Sequence, residues 1–352
     1  MVEVHVLDRL RAMAQRKRWI VGLAVGSRCR QLRAALVGVE GLGLSSRVEI
    51  AAQAQLLISP DITQRFDRLR RSRGTSPVDA ALLAALLAEC QAALLDDFAA
   101  QIAPVWDRVL AVAVDDPGLW RRADGLTGYV GLCDAARLAE LSGHNVMDAF
   151  AARDLAQEGR GRPLLCIPHW MLLRDLLKTR VLVQAGRAIR VTYLPGSRDA
   201  TGARRIQYFE VDPCAGPSPE APAGRDQIAA DAVTRCIMTD LPQVPNIDEL
   251  VLGARVNSDT ALAGELARRM PNVRVLDAAQ LGIPPGALQG AAVALLGLLH
   301  LDQIPANATG ITGARIPRVL GRLTPGSLTN WHRLLRELAA AKPTVVALRS
   351  AV

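Results

Sequence analysis

Aromatic residues and lysine are both scarce in this chain of 352 residues. Phe, Trp and Tyr make up 3% of the sequence, so the core must be built from Ala, Leu and Val, which favours helices and buried parallel strands. Lysine occurs only as Lys17, Lys178 and Lys342, and the formal net charge of +8 is therefore carried almost entirely by arginine. Half of the residues are hydrophobic, which excludes disorder of the whole chain.

Long apolar runs and clustered cysteines are missing as well. No run reaches the roughly 18–20 residues that cross a bilayer, and the closest, at 80–95, is interrupted by Glu89 and Gln91. The first 20 residues lack the apolar centre of a secretory signal. The six cysteines form no C-x-x-C pair. Scattered cysteines of this kind are typical of reduced thiols, and their spacing argues against a zinc site. We therefore expect a cytoplasmic protein with no metal-ligating residues and no membrane partner.

Standard nucleotide motifs are absent too. The chain has no G-x-x-x-x-G-K-[ST] loop and no H-E-x-x-H, and Gly41-Leu-Gly-Leu-Ser-Ser fails G-x-G-x-x-G at its last position. What remains is a strand, a glycine turn and a second strand over residues 19–39. Small residues in such a turn let backbone N–H groups approach anionic oxygens.

Short apolar strands alternate with helices along the chain, which predicts an α/β fold with largely parallel sheets. The clearest helix follows Ser76, begins with Pro77 and continues to about Gln101. One run of alternating strands and helices lies before residue 186 and another lies after it, which predicts two similar lobes. A segment rich in Pro and Gly at 214–224 is the clearest linker. The expected divisions are an N-terminal helix or extension at 1–17, lobe I at 18–185, lobe II at 186–326 and a C-terminal helical extension at 327–352.

The opening strand and turn carry a family resemblance. The residues Gly22-Leu-Ala-Val-Gly26-Ser27-Arg-Cys-Arg30-Gln-Leu-Arg33 align without a gap to Gly-Leu-Met-Ser-Gly-Thr-Ser-x-Asp-Gly-x-Asp of the anhydro-N-acetylmuramic acid kinases. Both aspartates of that pattern are arginines here.

Two further segments carry the same resemblance. Leu132-Cys-Asp134-Ala-Ala-Arg-Leu-Ala-Glu140 is similar to the family's Ile-Gly-Asp-Pro-Asn-Leu-Ile-Ala-Glu. The stretch from Arg153-Asp154 through Gly159-Arg-Gly161-Arg-Pro163-Leu is similar to a family segment that ends in Gly-Gly-Gln-Gly-Ala-Pro-Leu. His169 falls where a histidine follows that segment. In the tail, Gly253-Ala-Arg-Val-Asn257 stands where the family has Gly-Gly-Ala-x-Asn, and matches continue in order to residue 326.

The resemblance implies two actin-like lobes with mixed, largely parallel sheets flanked by helices and a nucleotide cleft between the lobes. It implies ATP and Mg²⁺ as cofactors, and ring opening with 6-phosphorylation of 1,6-anhydro-N-acetylmuramic acid in peptidoglycan recycling. The phosphate-binding residues would be Gly22, Gly26, Ser27 and Arg30. The nucleotide would contact Gly253 and Asn257.

The sugar side and the catalytic base follow from the same resemblance. The substrate-binding residues would be Asp134, Arg153, Asp154, Gly159 and Gly161. The base that activates water would be Asp212, which follows an apparent strand at 207–211. An equally weighted interpretation is a turn aspartate before Pro213.

Several departures from the family pattern predict impaired catalysis. Arg30 and Arg33 replace carboxylates near the expected Mg²⁺, and a guanidinium cannot hold that ion, although it can pair with a phosphate. Gln289 replaces a glutamate, and the glycine-rich turn around Gly253 is diluted. The segment after the third strand is Asp115-Asp-Pro-Gly-Leu-Trp120 instead of His-Gly-Gln-Thr. The sequence therefore predicts a homologue that binds an amino sugar or peptidoglycan fragment, with ATP binding weakened or lost.

Two alternatives stay open. One is an active amino-sugar kinase. The other is a basic module for nucleic acid or protein, based on an arginine cluster for which a solvated helix face is the favoured interpretation. The members of this cluster are Arg65, Arg68, Arg70, Arg71 and Arg73. The family has several tens of residues of helical segment where this chain has only the linker at 218–224, so lobe II is shortened. The resemblance also implies a homodimer, and this deletion counts against it.

Overall fold

The computed structural model describes residues 17–26, 28–72, 74, 76–123, 125–184, 188–197, 199–211, 225–240, 247–253 and 259–340. The helix predicted at the N-terminus, the linker at 214–224, and the predicted site residues Ser27, Asp212 and Asn257 lie outside these ranges.

The described strands and helices alternate along the chain. The strands are β1 Arg18–Val25, β2 Gln31–Glu40, β3 Arg47–Leu57, β4 Val109–Asp115, β5 Leu119–Ala123, β6 Leu126–Val130, β7 Val146–Asp148, β8 Arg180–Gln184, β9 Ile189–Leu194, β10 Gln207–Val211, β11 Glu249–Leu252, β12 Arg274–Asp277 and β13 Arg322–Thr324. The helices are α1 Pro60–Arg71, α2 Pro77–Gln101, α3 Ala103–Trp106, α4 Ala135–Ser142, α5 Phe150–Leu155, α6 Cys166–Leu173, α7 Arg225–Asp240, α8 Asp259–Arg269, α9 Ala287–Leu301, α10 Thr309–Thr312 and α11 Leu328–Ala340.

Two sheets of the same topology organise these strands. The first has the order β13-β7-β4-β1-β2-β3 and the second the order β10-β9-β8-β11-β12. In each sheet, an antiparallel meander of three strands is followed by parallel strands added beside its first strand. The first sheet also carries the antiparallel edge strand β13, which has no counterpart among the described strands of the second sheet. The chain therefore contains two similar α/β units, and the second sheet begins with β8 at Arg180.

Strand β1 is central because it is apolar on both faces. All eight of its residues are buried, as expected for a strand with helices on both sides of the sheet. On one face the long helix α2 buries Leu83, Leu87, Leu95 and Phe98. Helix α2 is long and apolar enough to cross a membrane by length and composition, a test that core helices also pass.

The start of α2 follows the sequence prediction. The hydroxyl of Ser76 accepts a hydrogen bond from the backbone N–H of Asp79 at 3.3 Å, and Pro77 occupies the first helical position. An N-cap oxygen satisfies one of the donors that a helix leaves unpaired, and proline has no N–H to leave unpaired. The prediction of a helix over 77–101 is confirmed.

Helix α9 packs on the opposite face of the first sheet, where it lies against β1, β2 and β4 and also contacts α6. Nearly all of its residues are buried. Helix α6 shares a core cluster with Leu182 and Leu194 of the second sheet. At its C-terminal end, the guanidinium of Arg174 donates to the carbonyl oxygens of Leu44 at 2.7 Å and Ser46 at 3.2 Å. These contacts join the two units.

Candidate functional site

The turn after β1 closes on itself. The N–H of Gly26 donates to the carbonyl of Gln31 at 2.9 Å, and the N–H of Cys29 donates to the carbonyl of Gly26 at 2.7 Å. Cys29 has a φ of 52°, a strained value for a residue with a side chain. Both amides are therefore engaged within the turn, whereas a phosphate cradle needs them to point at the ligand.

Gly22 lies in the middle of β1, away from that turn. A Cβ at this position would lie 2.0 Å from the carbonyl oxygen of Gly290 and 2.4 Å from the backbone nitrogen of Ala294 on α9. The close approach of strand and helix accounts for a glycine here without a phosphate.

Two arginines follow the turn. The side chain of Arg30 is exposed, and its carbonyl accepts from the N–H of Ile58 at 3.0 Å. The guanidinium of Arg33 donates to the side-chain oxygen of Gln31 at 2.8 Å, and Gln31 in turn bonds Gln55 at 2.7 Å. The hairpin therefore presents guanidinium and amide groups to solvent.

The carboxyl end of β4 carries two carboxylates that were not among the predicted site residues. Asp116 accepts from the hydroxyl of Tyr129 and from the N–H of Leu132, each at 2.9 Å. Asp115 is partly buried, and burial together with the charge of Asp116 raises its pKa to about 7. The positions of Asp115 and Asp116 directly after an apolar strand were the signal for a site in the sequence, since ligands bind at the carboxyl ends of parallel strands.

An arginine is anchored against the same loop. The guanidinium of Arg162 lies 4.0 Å from the ring centre of Trp120, and it donates to the carbonyl of Pro117 at 2.8 Å. Stacking on an aromatic face and a hydrogen bond fix the orientation of a planar guanidinium. Burial lowers the pKa of Arg162, and the charge of Arg190 on β9 lowers it further, while Asp115 opposes the shift. Arg162 and Asp115 therefore form one electrostatic unit with Arg190 of the second sheet.

The predicted substrate-binding segment is organised by Asp154, which is fully buried. Its carboxylate accepts from the N–H of Gly161 at 2.8 Å, the side-chain amide of Asn307 at 3.0 Å and the hydroxyl of Thr312 at 2.8 Å. A Cβ at Gly159 would lie 2.2 Å from an oxygen of Asp154. Asp154, Gly159 and Gly161 thus form one structural unit, with Asp154 in a supporting role.

The other two residues of that predicted group lie apart from it. Asp134 caps α4 by accepting from the N–H of Arg137 at 3.0 Å. Arg153 lies on the exposed side of α5. Asp148, at the end of β7, forms a paired contact with Arg322 at 2.8 and 2.9 Å.

The second sheet contributes a polar row that faces the first unit. Strand register places Gln184, Arg190 and Glu210 side by side on one face. Further along that face, Leu182 and Leu194 belong to the core cluster shared with α6. The opposite face packs on α7 and α8. The polar row therefore points toward the cleft between the two sheets.

His169 of α6 lies beneath this row. Its side chain is 4% exposed, and burial, reinforced by the charge of Arg190, lowers its pKa to about 4. Its Nε2 atom has no hydrogen-bond partner among the described residues. A buried polar atom without a partner costs about 1–3 kcal/mol, so a polar ligand there would stabilise the fold.

Gly253 follows β11, where its N–H donates to the carbonyl of Val183 at 2.9 Å. A Cβ there would lie 3.0 Å from Gln184 and 3.2 Å from Leu288. The close packing of Gly253 against the polar row accounts for a glycine at this position without reference to a ligand.

The residues at the first hairpin do not fit Mg·ATP. The amides of Gly26 and Cys29 are bonded within the turn, and arginines stand where the family has aspartates. Among the neighbouring carboxylates, Asp116 and Asp148 already accept hydrogen bonds, and Asp115 is a single carboxyl group whose pKa is raised by burial. Within the described ranges, no group of three or more His, Cys, Asp or Glu side chains is arranged to hold a metal ion.

The strand order of the two sheets defines an actin-like α/β fold with mixed, partly parallel sheets. Among solved structures, the PilM–PilN type IV pilus biogenesis complex has a TM-score of 0.37 and 13% identity and covers 79% of this chain and 98% of its own. A ROK family glucokinase from Streptomyces griseus, in complex with glucose and AMPPNP, has a TM-score of 0.33 and 11% identity with the same coverage. At these scores the fold rests on the strand order alone.

A sequence model of the anhydro-N-acetylmuramic acid kinases matches residues 229–326. The kinase of that name from Pseudomonas paraeruginosa is 26% identical over 249 residues, covering 54% of this chain and 68% of its own. That from Cupriavidus metallidurans is 24% identical over 314 residues, covering 69% of this chain and 80% of its own. The chain is therefore similar to the anhydro-N-acetylmuramic acid kinases, and it spans about two thirds or more of the length of these relatives.

Proposed function

We propose that this protein binds an amino sugar derived from peptidoglycan, of the 1,6-anhydro-N-acetylmuramic acid class, in the cleft between its two sheets, and that its phosphotransfer is impaired. The family implies ATP and Mg²⁺, which would supply the phosphoryl group and the charge that steadies it. The observation that carries the proposal is the contrast between an ordered sugar-side segment and a first hairpin that does not fit a metal–nucleotide complex.

The ordered sugar-side segment is held by the hydrogen bonds of Asp154. These bonds tie the loop at 159–161 to Asn307 and Thr312, residues far away in sequence. Because every one of these partners is buried, the loop has one well-defined conformation. A fixed loop beside the cleft can orient a bound sugar.

The positive charges of the first hairpin support the proposed impairment of phosphotransfer. Phosphoryl transfer depends on a metal ion that bridges phosphate oxygens, and carboxylates hold that ion. Arg30 and Arg33 cannot do so. Asp212, the predicted base, remains a prediction because it lies outside the described residues.

Thermal unfolding with four additions tests the proposal: none, Mg·ATP, 1,6-anhydro-N-acetylmuramic acid, and both. A ligand that binds only the folded state raises Tm by mass action. We expect the sugar to raise Tm and Mg·ATP to leave it unchanged, with no further rise when both are present. No rise with the sugar would contradict the proposal. A rise with both ligands that exceeds the rise with sugar alone would favour the alternative of an active amino-sugar kinase.

A further inference from the structure

The arginines of helix α1 are a sequence feature that the proposed function does not use. Arg65 and Arg68 lie on the exposed side of this helix, and neither forms a salt bridge with a described residue. Arg70 and Arg71 both lie near the carboxylate of Asp67, at 3.3 and 3.8 Å. One helix of this kind is by itself an ordinary solvated face, so its neighbours in the fold decide whether it has a partner.

A second basic segment lies against the start of α1. The hydroxyl of Thr63 donates to the carbonyl of Cys29 at 2.9 Å, which places the turn after β1 beside the helix. Arg28 and Arg30 of this turn are exposed, and neither forms a salt bridge with a described residue. Leu57, the last residue of β3, is 78% exposed and lies three positions before the helix begins. Arginines and a leucine are therefore exposed together at the start of α1.

The hairpin of β5 and β6 supplies a third segment, at the end of α1. The guanidinium of Arg121 donates to the carbonyl of Ser72, the residue that follows the helix. The strand register pairs Arg121 with Gly128. Leu126 and Val130, two positions on either side of Gly128, therefore lie on the same face of the hairpin as Arg121. They are 76% and 53% exposed, so this face presents apolar side chains beside the arginines of the helix.

Positive charge remains in excess on this surface when its acidic residues are counted. Its described charged residues are seven arginines and three aspartates: Arg28, Arg30, Arg65, Arg68, Arg70, Arg71, Arg121, Asp61, Asp67 and Asp79. Arg73 and Asp124, which lie outside the described residues, carry opposite charges and leave the balance unchanged. The carboxylate of Asp116 accepts from Tyr129 on the opposite face of the hairpin. We refer to these arginines and aspartates, together with Leu57, Leu126 and Val130, as the arginine surface.

The apolar members of the arginine surface decide which polyanion it fits. Single-stranded nucleic acids are held by basic grooves with exposed aromatic rings on which the bases stack. Here Phe66 is buried, and the rings of Trp120 and Tyr129 pack on each other with centres 4.5 Å apart. Contacts to the phosphates of a duplex would use the arginines alone and leave the leucines in water. A lipid bilayer uses both, because its head groups carry negative charge and its acyl boundary accepts apolar side chains.

We propose that the arginine surface binds the anionic surface of a lipid bilayer. The arginines contact lipid phosphates, and Leu57, Leu126 and Val130 enter the boundary between head groups and acyl chains. The lack of a spanning run in the sequence predicted no membrane partner, but binding at the surface needs no such run. This binding is additional to the proposed function and does not rest on it.

Co-sedimentation with lipid vesicles tests the proposal. We expect binding to an equimolar mixture of phosphatidylcholine and phosphatidylglycerol to be about tenfold or more stronger than binding to phosphatidylcholine alone. Arg65→Gln and Arg68→Gln should each weaken binding to the mixed vesicles about fivefold, and Leu126→Ser about threefold. Arg274→Gln and Leu328→Ser are the matched controls, because both residues are exposed on other elements, and each should change binding by less than about twofold.

The other outcomes each overturn the proposal. Equal binding to the two kinds of vesicle, or binding to neither, would refute an anionic membrane as the partner. A DNA duplex that binds where the mixed vesicles do not would assign the arginines to nucleic acid. A loss with Arg274→Gln as large as that with Arg65→Gln would show that net charge acts without a defined surface. Arg65→Lys retains the charge and should bind as wild type does, and if Arg65→Gln lowers Tm, Arg68→Gln decides the question.

Discussion

The carboxylate of Asp154 lies 2.8 Å from the hydroxyl of Thr312, which is 158 positions further along the chain. The same carboxylate accepts from Asn307 and from the N–H of Gly161. One buried side chain therefore connects the sugar-side loop to the C-terminal part of the chain, and the order of that loop depends on it.

Asp154→Ala is expected to lower the free energy of unfolding by about 3 kcal/mol, because it leaves three buried donors without an acceptor. Urea denaturation measures the change. Asp134→Ala is the control, since it removes only a helix cap and should cost about 1 kcal/mol. Equal losses in the two variants would contradict the role assigned to Asp154.

Gly22→Ala is expected to destabilise the fold by more than about 3 kcal/mol or to prevent folding. Its Cβ would overlap backbone atoms of Gly290 and Ala294, and a packed core relaxes only partially. Gly264→Ala is the matched control, because a Cβ at Gly264 on α8 meets nothing within 4 Å. That variant should gain up to about 1 kcal/mol from its higher helix propensity. Thermal unfolding compares the two variants. If Gly22→Ala unfolds at the same temperature as wild type, β1 and α9 pack less closely than the structure shows.

Asp115→Asn is expected to flatten the pH dependence of stability between pH 4 and 7. The pKa of Asp115 is raised from 3.8 to about 7 by burial and by Asp116, against the opposing charges of Arg162 and Arg190. The folded state therefore holds the proton more tightly than the unfolded state. The resulting stability is full below pH 4 and is lost as the pH rises through about 7.

Urea titrations at pH 5 and pH 8 measure this effect as the difference between wild type and Asp115→Asn. The variant should be more stable than wild type at pH 8 by about 4 kcal/mol, and the difference should be smaller at pH 5. Because the buried histidines His144 and His169 are present in both proteins, their own titration cancels from the difference. A difference that stays constant with pH would contradict the raised pKa.

Arg30→Asp combined with Arg33→Asp is expected to create Mg²⁺-dependent stabilisation by ATP, since it restores both carboxylates of the family pattern. Thermal unfolding with ATP, with and without Mg²⁺, measures it. Arg28→Asp is the control, because it adds a carboxylate to the same exposed turn at a position where the family pattern has none. If the double variant responds as the control does, the arginines are not what excludes the metal–nucleotide complex.

Features that depend on neighbouring residues in the chain could be predicted from the sequence. Ser76 and Pro77 define the start of α2 by capping and by the missing proline N–H, and apolar continuity defines β1. Arg65, Arg68, Arg70 and Arg71 lie on the exposed side of α1, which buries Phe66 on its other side. Arg73 lies outside the described residues. The family resemblance is confirmed.

Other features depend on contacts that a sequence does not display. Strand β3 is an edge strand of half-buried Ala and Gln residues, so it lacks the alternation that marks a strand. Asp115 and Arg190 are 75 positions apart, and the charge of Arg190 acts on Asp115 only because the fold brings the two units together. The structural role of Asp154 likewise arises from partners beyond residue 300.

Release of ADP in the presence of Mg·ATP and 1,6-anhydro-N-acetylmuramic acid tests the central claim most directly. The account predicts that the wild-type protein, although stabilised by the sugar, releases ADP no faster than the Asp212→Asn variant. Sugar-dependent ADP release that Asp212→Asn abolishes would contradict it and establish an active kinase.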